Sequence, residues 1–579
     1  MIWVKRILMG AVMLAVLLAV FLYFYFFLPF WGVPFNAQRH GTVALTPAWA
    51  LEPWVWEDDT NTADSTLELV NGYLENDFPV TTVLIDSPWS TRYNDFIVDQ
   101  KRFPNPDKFF KDLQDRNIRV VLWMTSMINS KSSDTAIQDS SDWFNEAARN
   151  GYIAGGGNLE KWWKGTGGWL DYTNPKAVAW WRGMQQQVFD WGIDGWKLDG
   201  TGTLFRGKLA GKLPVLYQRT AAGLMSTRTY MDHYYRDEYK HGLTQNPEFI
   251  TLARSHDSIL PWSHPEGYAP LDASPVNWVG DNHHDWSYES EGLERALHCI
   301  LKSAKLGYNV VGSDVAGYHG SDPIPADVYI RWSQFSSFCG LFLNGGHGER
   351  RMWKRSPQEL ELVRNAQWLH SELVPYMYSH CVAAHKGGKV LMRPLKEGKY
   401  EYMFGDDFLV APIYEKKDAR EVVLPAGSWR YLYKDDEVIE GPRTFTKNYP
   451  IDEFPVYVRD GAIIPMNVRR DYTGIGNKDS EGLLTLNIYP KGENKFAVQH
   501  TDNSGTLDVT VKGGAPLEIR LEGTGKPHLL RVYSEKKPVS VQCSNATMAE
   551  GADWEYKAEQ KRLIVRNKAV GTGRYVVAF

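Results

Sequence analysis

The chain has 579 residues and a formal net charge of −5, with 64 Lys and Arg against 69 Asp and Glu. That balance, with no long basic run, argues against a nucleic-acid partner. The length calls for roughly two to four domains and allows a large core. The 23 Trp and 30 Tyr offer flat faces for sugar rings, but they serve equally well as core and strand residues.

The first element is apolar. From Ile7 to Leu28 no residue is charged, which as a helix crosses about 30 Å of hydrocarbon. The run ends in Tyr23 to Leu28 and Pro29 instead of a small-residue cleavage site, which favours an uncleaved anchor over a signal peptide. Lys5 and Arg6 precede it and the next charge is Arg39. The positive-inside rule then leaves the N-terminus cytoplasmic and the body in periplasm, lumen or exterior. The sequon Asn545-Ala546-Thr547 is compatible with a lumenal or extracellular body. Residues 1–44 are read as anchor and connector.

Over 45–388 strand-like and helix-like segments alternate as a parallel α/β fold requires. Eight strands are expected at Trp49–Trp56, Thr82–Asp86, Val120–Met124, Trp196–Asp199, Phe249–Ala253, Asn277–Asp281, Asn309–Ser313 and Leu341–Asn344. A ninth apolar run, Gly168–Tyr172, competes and is assigned to a long excursion after the third strand, because Thr173-Asn174-Pro175 opens a helix. Helices are expected over 106–115 with Asn105 as cap, over 175–190, and over 217–240 as an addition after the fourth strand. The fold class is therefore α/β, a (β/α)₈ TIM barrel.

After residue 390 the texture changes to short alternating runs with Gly, Pro and Asp turns, as in Leu484–Tyr489. This is β-sandwich composition, divided into a proximal module over 389–468 and a distal one over 469–579. Cys299, Cys339, Cys381 and Cys543 lack the spacing of a zinc site or disulfide framework and are expected as buried free thiols. His283 and His284, although beside Asp281 and Asp285, lack helical zinc-site spacing.

Several barrel strands close on a carboxylate: Val83-Leu84-Ile85-Asp86, Trp196-Lys197-Leu198-Asp199, Asn277-Trp278-Val279-Gly280-Asp281 and Val310-Val311-Gly312-Ser313-Asp314. Strand C-termini of a (β/α)₈ barrel converge on its catalytic face. Carboxylates arriving there suit acid/base or nucleophilic work on an uncharged, hydroxyl-rich substrate, and sugar chemistry fits best. Strand-end aspartates also serve as plain caps and turns.

The same runs, with Phe103-Pro104-Asn105-Pro106, Leu170 to Pro175, Tyr402 to Pro412 and Pro455 to Pro465, resemble glycoside hydrolase family 31 in order and spacing over roughly residues 45–470. The resemblance implies a retaining α-glycosidase that needs no metal or organic cofactor, with Asp199 as nucleophile and Asp281 as general acid/base. Such a pair stands about 5–5.5 Å apart, one carboxyl ionised and one protonated. Asp86 and Asp314 match positions that bind sugar hydroxyls, each able to accept two hydrogen bonds, although Asp314 also suits a helix cap. Arg254 resembles an arginine that holds a carboxylate or hydroxyl, and His347 resembles a sugar-binding histidine, although it also suits a plain loop position. Lys197 is taken as substrate-binding with them, and Trp123 and Trp278 as pocket walls or core.

Three departures bear on specificity. A family glutamate three residues past the nucleophile is absent, Gly202 standing there. Only about 15 residues separate the anchor from the barrel, where relatives carry a β-sandwich. Segments 204–246 and 255–275 are lengthened at what the barrel makes the mouth. The expected activity is removal of a terminal α-linked galactose or glucose from a glycan by a membrane-anchored, exo-acting enzyme. The alternatives are α-transglycosylation with the same carboxylates and a pseudo-glycosidase that binds glycans or a partner without turnover.

Overall fold

The computed structural model describes residues 2–24, 41–200, 217–256, 269–569 and 571–579. The end of the apolar run at 25–28, most of the connector, Thr201-Gly202, and the cores of both lengthened segments (201–216 and 257–268) lie outside the described residues. Ile2–Leu22 is one helix, within which Trp3–Leu22 is long and apolar enough to cross a membrane. An uncleaved span and a signal sequence both have that length and composition.

Eight short strands form one parallel sheet. They are β1 (Trp54–Val55), β2 (Thr82–Ile85), β3 (Arg119–Met124), β7 (Gly195–Leu198), β10 (Ile250–Arg254), β11 (Val276–Trp278), β12 (Val311–Gly312) and β13 (Leu343–Asn344), with β4 to β6, β8 and β9 inserted as given below. All eight expected strands are present, and most are shorter than the apolar runs that announced them. Trp49 lies in a 3-10 turn over Ala48–Leu51, and Asp281 and Asp314 lie beyond their strands instead of ending them.

The chain divides into two compact units, the first comprising 1–42, 61–63 and 84–274, the second 43–60, 64–83 and 275–579. In the first unit β7 pairs in parallel with β3 and with β10. The excursion after β3 is a three-stranded antiparallel sheet of β4 (Met127–Ser132), β5 (Glu160–Trp162) and β6 (Gly165–Trp169). The ninth apolar run thus stays out of the barrel. A Cβ on Gly165 or Gly167 would lie 1.9 or 2.3 Å from the carbonyl oxygens of Lys131 and Ile128, so glycine is what allows β6 to lie so close to β4.

Two local expectations change. The stretch 217–240 begins as a hairpin, β8 (Tyr217–Thr220) and β9 (Gly223–Ser226), turning at Ala221-Ala222, and only then becomes the helix Thr227–Gln245. Ser226 starts that helix by accepting the Thr229 N–H at 3.0 Å, which is the capping signal that sets its boundary. Asn105 sits at an N-cap with φ 51° and makes no capping hydrogen bond. Asn174 does cap, accepting from Lys176 N at 3.0 Å.

In the second unit β1 lies between β2 and β13, and β11 pairs with β12. An isolated parallel bridge from Asp314 to Leu343 joins the ends of the series and nearly closes the sheet. Asp314 caps no helix, since the next one is Ala326–Ser336. Downstream, Met392–Pro394 to Arg459 form one six-stranded sheet over a core containing Leu409, Trp429 and Tyr457, in place of the expected proximal sandwich. The distal part is a two-sheet sandwich of five and six strands around Leu486, Val509, Leu530 and Val565. Ile463–Met466, read as the end of the proximal module, pairs with Leu484–Ile488 and belongs to the distal sheets.

Candidate active site

In the first unit the strand-end residues form one network. Asp199 follows β7, and its Oδ1 accepts from Gly200 N at 2.7 Å and faces the Arg254 guanidinium at the end of β10 at 3.1 Å. The indole Nε1 of Trp123, on β3, donates to Oδ2 at 3.3 Å. Burial pushes the Asp199 carboxyl upward, but Arg254 and then Lys197, aided by the Gly200 and Trp123 donors, outweigh it and hold the group below its ordinary range. It is therefore an ionised, oriented carboxylate at neutral pH.

Lys197, two residues earlier on β7, places its ammonium 2.7 Å from Oδ2 of Asp86, while Oδ1 of Asp86 accepts from Ser87 N at 2.7 Å. Asn61 donates to the Asp86 carbonyl. Two of the sequence-predicted carboxylates thus share a wall of two cations, and the Lys197 ammonium is turned to Asp86. Trp123 is buried and sits against Tyr93 (5.7 Å) and Trp162 (6.4 Å, nearly parallel).

In the second unit Asp281 follows β11 after Gly280, whose φ is 97°. It is half-buried and acts electrostatically on His319. Burial, and then His283 at 4.3 Å between ring centroids, push the His319 imidazole below its ordinary value against the pull of Asp281. A neutral ring therefore stands beside that carboxyl. Asp314 and Trp278 are buried, Trp278 completely. His347 Nδ1 is 2.7 Å from Asp59 Oδ1, and its ring lies 4.8 Å from that of Tyr318. Tyr318 in turn donates to Asp58 Oδ2 at 2.6 Å and stacks on Trp56 at 5.8 Å.

The loops that carry these groups are tied by Arg350, fully buried, which donates to the carbonyls of Val315 and Gly317, both at 2.6 Å, and of His347. His284 bonds Ser321 O through Nδ1 and Arg350 through Nε2, and burial and that guanidinium push it down to about 4. It is a neutral structural ring. Among the described residues no group of three or more His, Cys, Asp or Glu is placed to hold a metal, and the four cysteines are free thiols.

Sequence reasoning missed Asp58, Asp59, Tyr318 and Arg350. Trp56-Glu57-Asp58-Asp59 directly follows β1, so the strand-end rule applied to the other strands would have found the aspartates. Tyr318 and Arg350 carry no comparable signal.

Two parts of the chain match described families, residues 43–380 the glycosyl hydrolases family 31 TIM-barrel domain and residues 390–464 the family 31 C-terminal domain. The chain belongs to glycosyl hydrolase family 31. It is 26% identical over 468 residues to the α-xylosidase XylQ of Lactiplantibacillus pentosus, covering 75% of this chain and 57% of that one. To the isomaltosyltransferase of Sporosarcina globispora it is 24% identical over 613 residues, covering 93% and 53%. The chain thus spans a little over half the length of these relatives. In fold it is similar to the cycloalternan-forming enzyme of Listeria monocytogenes, determined with a pentasaccharide substrate, at a TM-score of 0.81 and 22% identity over 94% of this chain and 55% of that one.

Proposed function

We propose that this protein is a membrane-anchored, exo-acting retaining α-glycosidase working by double displacement. Asp199 attacks the anomeric carbon of a terminal α-linked sugar, and Asp281 protonates the departing oxygen and then deprotonates the water that releases the glycosyl-enzyme. The observation that carries this reading is the setting of Asp199 at the end of a parallel strand, where its carboxylate accepts from Gly200 N and Trp123 Nε1 and faces the Arg254 guanidinium. Asp86, Asp314, Arg254 and His347 are assigned to sugar hydroxyls, Lys197 fixes Asp86, Trp123 orients Asp199 through its indole N–H, and Trp278, with no exposed surface, is core. Glucose leads over galactose because relatives are named α-glucosidases, and the α-xylosidases add xylose.

Transglycosylation, with a sugar hydroxyl in place of water, is the second reading, favoured by relatives named as an isomaltosyltransferase and a 1,6-α-glucosyltransferase. The test is turnover of aryl α-glycosides and α-linked disaccharides by wild type and Asp199→Asn, with the product anomer and any transfer product followed by NMR. Release of the α-anomer, abolished in the variant, is expected. β-Anomer release would refute retention, and transfer product in excess of free sugar would select the second reading. Anchoring predicts that the full chain stays with membranes through a carbonate wash while a chain starting at residue 33 does not.

A further inference from the structure

We infer that the β4–β6 sheet carries a second sugar-binding platform, centred on Trp163, for the units that follow the terminal sugar of an α-linked oligosaccharide. This rests on the glycosidase reading above and names its substrate as a chain of several sugars.

The platform is the outer end of an aromatic series that starts at the nucleophile. Trp123 donates to Asp199 and lies parallel to Trp162, with 6.4 Å between centroids and 15° between planes. Tyr93 fills the angle, 5.7 Å from Trp123 and 5.3 Å from Trp162. Trp162 is fixed by its Nε1, which donates to Asn129 Oδ1 at 2.8 Å. Trp163 then packs its ring edge-on against Trp162 at 4.9 Å, and it is 47% exposed although it belongs to a residue type usually buried.

Core packing accounts for Trp123 and Trp162, both nearly fully buried, but not for a tryptophan packed edge-on against its neighbour on the turn between β5 and β6 with half its surface in water. A polar edge accompanies the rings. Lys164 Nζ lies 2.7 Å from Asp134 Oδ2, which also accepts from the Tyr93 hydroxyl at 3.3 Å, and both charged side chains are part-exposed. An apolar ring face beside a carboxylate and an ammonium of opposite charge is the chemistry that binds a neutral sugar, whose C–H face stacks while its hydroxyls both donate and accept. A terminal sugar at Asp199 would leave only later units within reach of Trp163, so contact there discriminates by chain length and adds to kcat/KM for long substrates.

The experiment compares kcat/KM for an aryl α-glycoside with that for α-linked oligosaccharides of two to six units, in wild type, Trp163→Ala and Trp163→Phe. Wild type is expected to gain with length, and the ratio of long-chain to aryl kcat/KM to fall about tenfold in Trp163→Ala and recover in Trp163→Phe. An unchanged ratio in folded Trp163→Ala, or no length dependence in wild type, would overturn the platform. If wild type turns over no α-glycoside, the glycosidase reading fails by itself. Calorimetric titration of wild type and Trp163→Ala with the hexasaccharide then decides the platform: weaker binding by the variant supports it, and equal or no binding by both overturns it.

Discussion

Lys197 and Asp86 form an ion pair removed from solvent, Nζ 2.7 Å from Oδ2 with 6 and 9% of the two side chains exposed. It links the ends of β7 and β2, and Lys197 also contributes to keeping Asp199 ionised. Removing one member of a buried pair strands the other charge, which costs about 3–5 kcal/mol. Lys197→Met is therefore expected to lower stability by that order in denaturant unfolding. Lys197→Met/Asp86→Leu should recover most of the stability and none of the turnover. A single variant as stable as wild type would show that the pair is not buried in solution.

Arg254 is expected to set the acid limb of activity. Its guanidinium is the strongest influence that lowers the Asp199 carboxyl, working against burial. With Arg254→Gln the carboxyl rises, and the acid limb of kcat/KM is expected to move to higher pH. The stability sign agrees. A carboxyl held low in the folded state contributes above its unfolded value and loses that contribution as pH falls through the folded value, so the variant should lose less on acidification. An acid limb that stays in place would assign it to another group.

These two residues show how far the sequence could be read. The runs that end at Asp86, Asp199 and Arg254 announce their strands because a buried parallel strand is a short apolar stretch, and the strand-end carboxylates follow from that. What Lys197 touches does not follow, because an ammonium on a four-carbon stem reaches a neighbouring strand only through the three-dimensional register. The hairpin at 217–226 was hidden for a different reason. Its strands are four residues each and run into a strongly helical segment, so periodicity alone extends the helix backwards. Arg350 serves carbonyls 35 and 33 residues away, and no local pattern encodes that.

Gly200 is expected to matter more to turnover than to folding. Its φ is 86°, and a Cβ there would lie 2.4 Å from Thr125 Oγ1. Backbone strain of this kind costs about 1–3 kcal/mol. Relief by rotation would withdraw the N–H that donates to Asp199 Oδ1 at 2.7 Å. Gly200→Ala should therefore lose one to two orders of magnitude in kcat, about 1.4 kcal/mol for each factor of ten, and more than its loss of stability explains. Wild-type kcat in a folded Gly200→Ala would remove this N–H from the mechanism.

Glu372 gives the chain a pH-dependent stability unrelated to catalysis. It ends the helix Pro357–Glu372 fully buried, with Oε2 accepting from Thr473 at 2.7 Å. Burial, opposed by that bond and by Arg469, pushes its carboxyl up to about 8. Below about pH 4.5 folded and unfolded chains both hold the proton, and the group favours neither. Between there and pH 8 the unfolded chain releases it while the folded chain keeps it. Stability therefore falls as pH rises, by at most about 1.4 kcal/mol per pH unit from this group. Glu372→Gln keeps the neutral shape without the titration, so its advantage over wild type in denaturant unfolding should grow from pH 5 to pH 8 and then level off. An advantage that is constant across that range would mean that Glu372 is already ionised in the folded protein.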